Sequence, residues 1–307
     1  MTTIKCGATP WNPRLIYADI TGYGDDGPEA DLPGFDITAY WARSGLLAMT
    51  RDAGAPPTLP VPGSGDHATA IGLYAAIVTG LYQRERTGQG AYVTTSLIAE
   101  GAWAAAAWIQ GALCGAKFFP LHDRKNPPNA LLNPYQAADG EWFLLVVQDK
   151  DWPAFANAVG RPELLLDARF SDGAKRAANS GALTEMIAST FLAEPLAHWR
   201  EALDRAHLTY GIVQTPSQSV TDPQMLANDI IVPLDSGSEH LQFTVSSPLK
   251  LHGVSKVPAK RAPELGEHND EVLQQLGFDA DEIDGLRASG AMPHVWHLEA
   301  ATTGGGR

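Results

Sequence analysis

Cysteine is nearly absent from this chain: two in 307 residues, Cys6 and Cys114. Two cysteines cannot build a disulfide framework or a multi-thiolate metal site, so a reducing, cytoplasmic setting is expected. Cys114 falls within an Ala-rich apolar run and Cys6 near the start, so both read as structural or incidental rather than as nucleophiles. Long apolar runs are also missing. The longest, Ile98 to Cys114, carries Glu100 and Gln110 and is short for a membrane span, so it reads as a buried helix. The opening residues MTTIKCGATP have no apolar core and no secretory character. Basic residues are scarce, 22 Lys and Arg against 35 Asp and Glu, for a formal net charge of −13. That balance argues against nucleic acid or an anionic membrane as the partner.

The motif vocabulary is sparse as well. There is no HExxH and no paired-cysteine motif, and the close histidine sets are limited to His122-Asp123 and His294-x-x-His297, so no metal is expected. No GxSxG elbow is present, since Gly63-Ser64-Gly65 has the wrong spacing. No GxxxxGK[ST] loop occurs, and in GYGDDG the acids Asp25 and Asp26 would repel a phosphate.

What is present is an alternation of short strands and helices. Leu15 to Thr21 reads as a strand ending in a glycine turn, and residues 35–50 as a helix broken near Gly45. A stiff Pro-rich loop precedes the clearest helix, Asp66 to Arg84, which reads as buried and stops at ERTGQG. AYVTTSL is a strand. FFPLHDRKNPPNALLNPY is a candidate linker, and AADGEWFLLVVQ a hairpin turning at Asp139-Gly140. Amphipathic helices are expected at DWPAFANAVG, ALTEMIASTFLAE and PLAHWREALDRAH. LTYGIVQTPSQSV reads as a strand and turn. A short helix is capped by Asp222, HLQFTVSSPLKLHGV reads as strands, and EHNDEVLQQLG as a final helix before a disordered TTGGGR tail. The pattern is α/β in two domains, with no internal repeat.

One acidic residue stands out. Asp66 follows PVPGSG at the mouth of the long helix. It can be read as the helix N-cap. It can also be read as a carboxylate nucleophile, with Gly63 and Gly65 letting a substrate approach the backbone and leaving N–H groups for an oxyanion. The local residues leave both readings open.

The runs NPRLIYADITGYG, PGFD and GSGDHATAIGLYAAIVTGLYQRERTGQGAYVTTSL resemble the class III CoA-transferase family. That family comprises formyl-CoA and carnitine CoA-transferases and the related 2-methylacyl-CoA racemases. NPYQAADGEW, VGRPELLLDARF, DPQMLAND and APELGEHNDEVLQQLG extend the resemblance over nearly the whole chain. It implies that Asp66 is the catalytic aspartate, carrying an acyl anhydride and then an aspartyl-CoA thioester. Phe35, Asp36, Gly63, Gly65 and His67 would line the substrate and CoA site. Coenzyme A enters as substrate, with no permanently bound cofactor, and the partners are an acyl-CoA and a small carboxylic acid.

The racemase branch places a histidine in a G-H-D motif, which here reads Gly34-Phe35-Asp36, and Phe35 cannot transfer a proton. Racemisation and a non-catalytic subunit of a heteromeric enzyme remain the alternatives. The resemblance further implies a large domain with a Rossmann-like parallel sheet, a smaller α+β domain, and an interlocked dimer or a heteromer. Residues 1–120 and 241–300 would form the large domain, 121–240 the small one with its linkers, and 301–307 a tail. The family's N-terminal nucleotide-fold segment is not matched, so an incomplete sheet is expected. Its glycine-rich lid is replaced by Asn and Pro around Asp123 to Tyr135.

Overall fold

A computed structural model describes residues 12–117 and 121–292. Cys6, the His294/His297 pair and the TTGGGR tail lie outside the described residues. The fold is mixed α/β, with three small sheets among the described residues. The chain divides between Val213 and Gln214 into two compact units.

The first unit opens with a βαβ arrangement. Strand β1 (Ile16–Thr21) pairs in parallel with β2 (Ala91–Ser96), Ile16 opposite Ala91 and Thr21 opposite Ser96. Parallel partners require a crossover, and here it contains helix α2 (Ser64–Thr87), 24 residues long. The helix ends as its sequence indicates: Gly88 takes a left-handed conformation and its N–H closes on Arg84 O at 2.8 Å. Close approach to the strands depends on Gly80, where a Cβ would come within 3.3 Å of Val93. Between β1 and α2 lie a π-helical segment, Asp36–Ala42, and the single turn α1 (Leu46–Met49), separated near Gly45 as expected.

Two expectations of burial fail. The run from Ile98 to Cys114 is not one buried helix. It forms α3 (Leu97–Ala104) and α4 (Ala106–Leu113), interrupted at Ala105, with Trp103, Trp108 and Leu113 exposed. Cys114 is exposed too. Likewise α2 buries only Gly65, Thr69 and Gly80, while Ile71, Tyr74, Val78 and Tyr82 face outward. Apolar content signals a need for cover, but the cover need not come from the same chain.

The main core lies further along. Strands β3 (Leu132–Gln136), β4 (Trp142–Val146) and β5 (Thr209–Ile212) form an antiparallel sheet, and the β3–β4 hairpin turns at Gly140 with φ +86°. Helices α5 (Trp152–Ala158), α6 (Gly173–Ala178), α7 (Ser180–Phe191) and α8 (Leu196–Arg205) follow β4, and the three expected from amphipathic spacing are all present. Their apolar faces and the sheet meet at Phe191, whose ring lies 4.8 Å from Phe143, 5.1 Å from Trp199 and 5.3 Å from Tyr135.

The second unit holds the turn α9 (Pro216–Ser219) and α10 (Pro223–Ala227), the latter capped by Asp222 as expected. Its sheet has β6 (Ile231–Asp235) between antiparallel β7 (Phe243–Val245) and parallel β8 (Ala259–Lys260). HLQFTVSSPLKLHGV therefore supplies one short strand rather than several. Helix α11 (Asn269–Gln275) is followed by α12 (Ala280–Ala288), which the sequence reading missed although Asp279 and Glu282 form a capping box.

Candidate active site

Helix α2 starts at Ser64, with Gly63 as its N-cap at φ +80°. The cap reading of Asp66 is thereby overturned, because Asp66 sits in the first turn of the helix rather than ahead of it. The carboxylate that serves the helix start comes from elsewhere. Asp36 accepts from Gly63 N at 2.6 Å through Oδ2 and from Gly65 N at 2.9 Å through Oδ1. The first backbone N–H groups of a helix have no partner within it and carry its positive end, so a buried anion fits there. Asp36 is only 5% exposed, and these charge-assisted bonds offset the cost of withdrawing it from water.

Local chemistry puts Asp36 in place. Thr38 Oγ1 accepts from Phe35 N at 3.0 Å, and Thr38 N and Ala39 N donate to Phe35 O, which fixes the start of the π-helical segment. Tyr40, one turn on, packs against Gly65, where a Cβ would overlap both Asp36 Oδ1 and the Tyr40 ring. Trp41 Nε1 donates to Ser64 Oγ at 3.2 Å, and Ser64 Oγ donates to Val61 O at 2.8 Å. Burial raises the Tyr40 hydroxyl pKa above its usual value, helped by the charges of Glu100 and Asp36. The phenol stays neutral beside two carboxylates. Glu100 itself accepts from Thr95 Oγ1 at 3.0 Å.

Asp66 is left exposed, and its carboxylate has no hydrogen-bond or ion-pair partner among the described residues. His67 is exposed as well. Phe35, 69% exposed, precedes the buried Asp36. The structure therefore gathers Asp36, Gly63, Gly65 and Asp66 at one helix start. It also corrects the expectation that Gly63 and Gly65 offer free N–H groups to an oxyanion, since both are engaged by Asp36. Tyr40, Trp41 and Ser64 were missed as parts of the site, and so was the capping role of Asp36. The only sequence signal for a cap, a carboxylate beside PGSG, pointed to the wrong aspartate. Among the described residues no group of three His, Cys, Asp or Glu side chains could hold a metal ion.

Comparison with known proteins places the chain. The sequence profile described as CoA-transferase family III matches residues 8–269. The chain belongs to that family. It is 30% identical over 279 residues to (R)-2-hydroxy-4-methylpentanoate CoA-transferase of Clostridioides difficile, spanning 90% of this chain and 69% of that protein. It is also 30% identical over 285 residues to cinnamoyl-CoA:phenyllactate CoA-transferase of Clostridium sporogenes, spanning 89% and 68%. Among solved structures, a CAIB/BAIF family protein from Brucella suis shares the fold at a TM-score of 0.76 and 24% identity, with 87% of this chain and 69% of that one covered. The chain is thus a class III CoA-transferase, an enzyme class whose substrates are CoA thioesters. No helix among the described residues is long and apolar enough to cross a membrane.

Proposed function

We propose that this enzyme moves CoA from an acyl-CoA donor to a small carboxylic acid through covalent intermediates on Asp66. The observation that carries the reading is the state of that side chain: an exposed carboxylate without a partner among the described residues, at a helix start already capped by Asp36. In the first step an Asp66 oxygen attacks the thioester carbonyl. A C–O bond forms, the C–S bond breaks, and CoA leaves as thiolate with the electron pair. The thiolate then attacks the aspartyl carbonyl of the mixed anhydride, giving aspartyl-CoA and releasing the donor acid as carboxylate. The acceptor carboxylate attacks aspartyl-CoA, forming a second anhydride and CoA thiolate. Attack of that thiolate on the acceptor carbonyl yields the new acyl-CoA and restores the Asp66 carboxylate. No water is consumed and no electrons are exchanged with a further reagent. Position and desolvation, rather than proton transfer, set the rate.

The same reading takes the parallel β1–β2 pair with its α2 crossover as part of a Rossmann-like sheet, and the chain as one protomer of an interlocked dimer in the cytoplasm. Residues 1–120 and 241–300 are proposed as the large domain and 121–240 as the small one. Phe35 and His67 are proposed to contact substrate. The outward-facing apolar residues of α2, α3 and α4 support a covering second chain.

The deciding experiment incubates the chain with acetyl-CoA, succinyl-CoA and cinnamoyl-CoA in the presence of hydroxylamine, followed by peptide mass analysis. A hydroxamate at Asp66 is expected, lost together with CoA transfer in Asp66→Asn. Full transfer activity in that variant would sink the mechanism.

A further inference from the structure

We propose that Asp36 is a positioning residue that keeps the Asp66 carboxylate free by occupying the backbone donors Asp66 would otherwise take. The proposal rests on Asp66 being the nucleophile for its catalytic consequence, and on geometry alone for its structural one. Asp66 is the third residue of α2 after the N-cap Gly63. At that position a side chain commonly turns back and accepts from the N-cap N–H. Among the described residues this molecule does so at three other starts, the nearest being Thr38 Oγ1, which accepts from Phe35 N at 3.0 Å. Gln218 Oε1 accepts from Thr215 N at 2.7 Å, and Glu282 Oε2 accepts from Asp279 N at 2.9 Å.

At α2 the equivalent donor, Gly63 N–H, is held by Asp36 Oδ2 at 2.6 Å, and Gly65 N–H, two residues inward, by Asp36 Oδ1 at 2.9 Å. One buried carboxylate therefore takes both donors. It also brings negative charge to the positive helix end, which weakens the pull of that end on a second anion. The outcome is that Asp66 stands exposed and without partners among the described residues. Gly65 is part of the device, because any side chain there would displace Asp36 or Tyr40. Asp36 thus acts through Asp66 and is not required to touch the substrate.

Removing Asp36 releases Gly63 N–H and Gly65 N–H to Asp66, which becomes the cap and is lost as a free nucleophile. The test is a double-mutant cycle on the full chain, using Asp36→Ala, Asp66→Ala and the double variant, read as thermal unfolding midpoints. Because Asp66 substitutes for the missing cap, Asp36→Ala should lower the midpoint by about 2–4 °C more in the Asp66→Ala background than alone. Additive midpoints would overturn the proposal.

The second readout is the rate of hydroxamate formation at Asp66 with succinyl-CoA or whichever of the three probes labels the unaltered chain. In Asp36→Ala it should fall about 10- to 100-fold per folded molecule, at an unchanged half-saturating acyl-CoA concentration. Asp36→Asn, which keeps one carbonyl acceptor and folds if Asp36→Ala does not, should recover part of that rate. An unchanged rate in both variants counts against the proposal. Failure of the unaltered chain to label at Asp66 would instead remove the nucleophile reading, and the midpoint cycle would still decide the capping relation.

Discussion

Two glycines frame the start of α2, and they are intolerant of side chains for different reasons. Gly63 has φ +80° and open space around its missing Cβ. Gly63→Ala should therefore cost only the backbone strain, about 1–2 kcal/mol. Gly65 has ordinary backbone angles but no room, since a Cβ would overlap Asp36 Oδ1 and the Tyr40 ring. Gly65→Ala should destabilise the chain by about 1–3 kcal/mol through overpacking and should reduce CoA transfer by moving Asp36 off the helix. Urea unfolding and initial transfer rates on the two variants separate these effects: a comparable loss of stability, with the larger loss of transfer in Gly65→Ala. Equal loss of transfer in both would mean that the Asp36 contact carries no weight in the reaction. The sequence exposed Asp66 as a chemical candidate because an acid between glycines and an apolar helix is conspicuous. It could not show that Asp36 is the cap, because that contact spans a Pro-rich loop whose path no local pattern encodes.

At the scale of elements, legibility followed packing. Helices α5, α7 and α8 bury their apolar stripes within their own unit, so period and burial agree and the sequence names them correctly. Strand β6 and helix α12 went unread. IVPLD has a central proline, which weakens a strand pattern, and α12 buries only Ile283. The break between α3 and α4 at Ala105 has no proline or glycine to announce it, and nothing in the structure explains it. Within the core, Phe191 links α7 to the sheet and to α8 through four aromatic neighbours. Phe191→Ala should cost about 3–5 kcal/mol by denaturant unfolding.

Tyr135 gives the same core a pH signature. Burial pushes its hydroxyl up from 10.0 to about 12, against a smaller lowering effect of the neighbouring Asn133 and Thr184 side chains. A folded-state pKa above the unfolded one means that the contribution is complete below pH 10 and declines as pH climbs toward 12. Tyr135→Phe should flatten the alkaline limb of the stability profile measured from pH 9 upward, while losing the 2.7 Å bond to Ala130 O at neutral pH. An unchanged alkaline limb would show that Tyr135 does not keep its proton in the fold.

For the whole molecule, two facts pull in opposite directions. Large apolar side chains are left in water along α2 to α4, among them Trp103 at 79% exposure, Leu113 at 77% and Tyr82 at 63%. Such surface favours association with a second copy. Each chain also carries a formal charge of −13, so two copies repel. Screening relieves long-range repulsion between exposed charges and leaves apolar burial intact, since the Debye length falls from about 30 Å at 0.01 M to about 8 Å at 0.15 M. The proposed dimer should therefore tighten as salt is raised over that range, the reverse of a charge-driven assembly. Light scattering on a size-exclusion column at both ionic strengths measures this directly. Trp103→Glu and Tyr82→Glu should shift the mass toward a single chain without altering the secondary structure seen by circular dichroism, because neither side chain belongs to a buried core. A single-chain mass for the unaltered protein at both ionic strengths would show that the apolar face is covered by something other than a second copy.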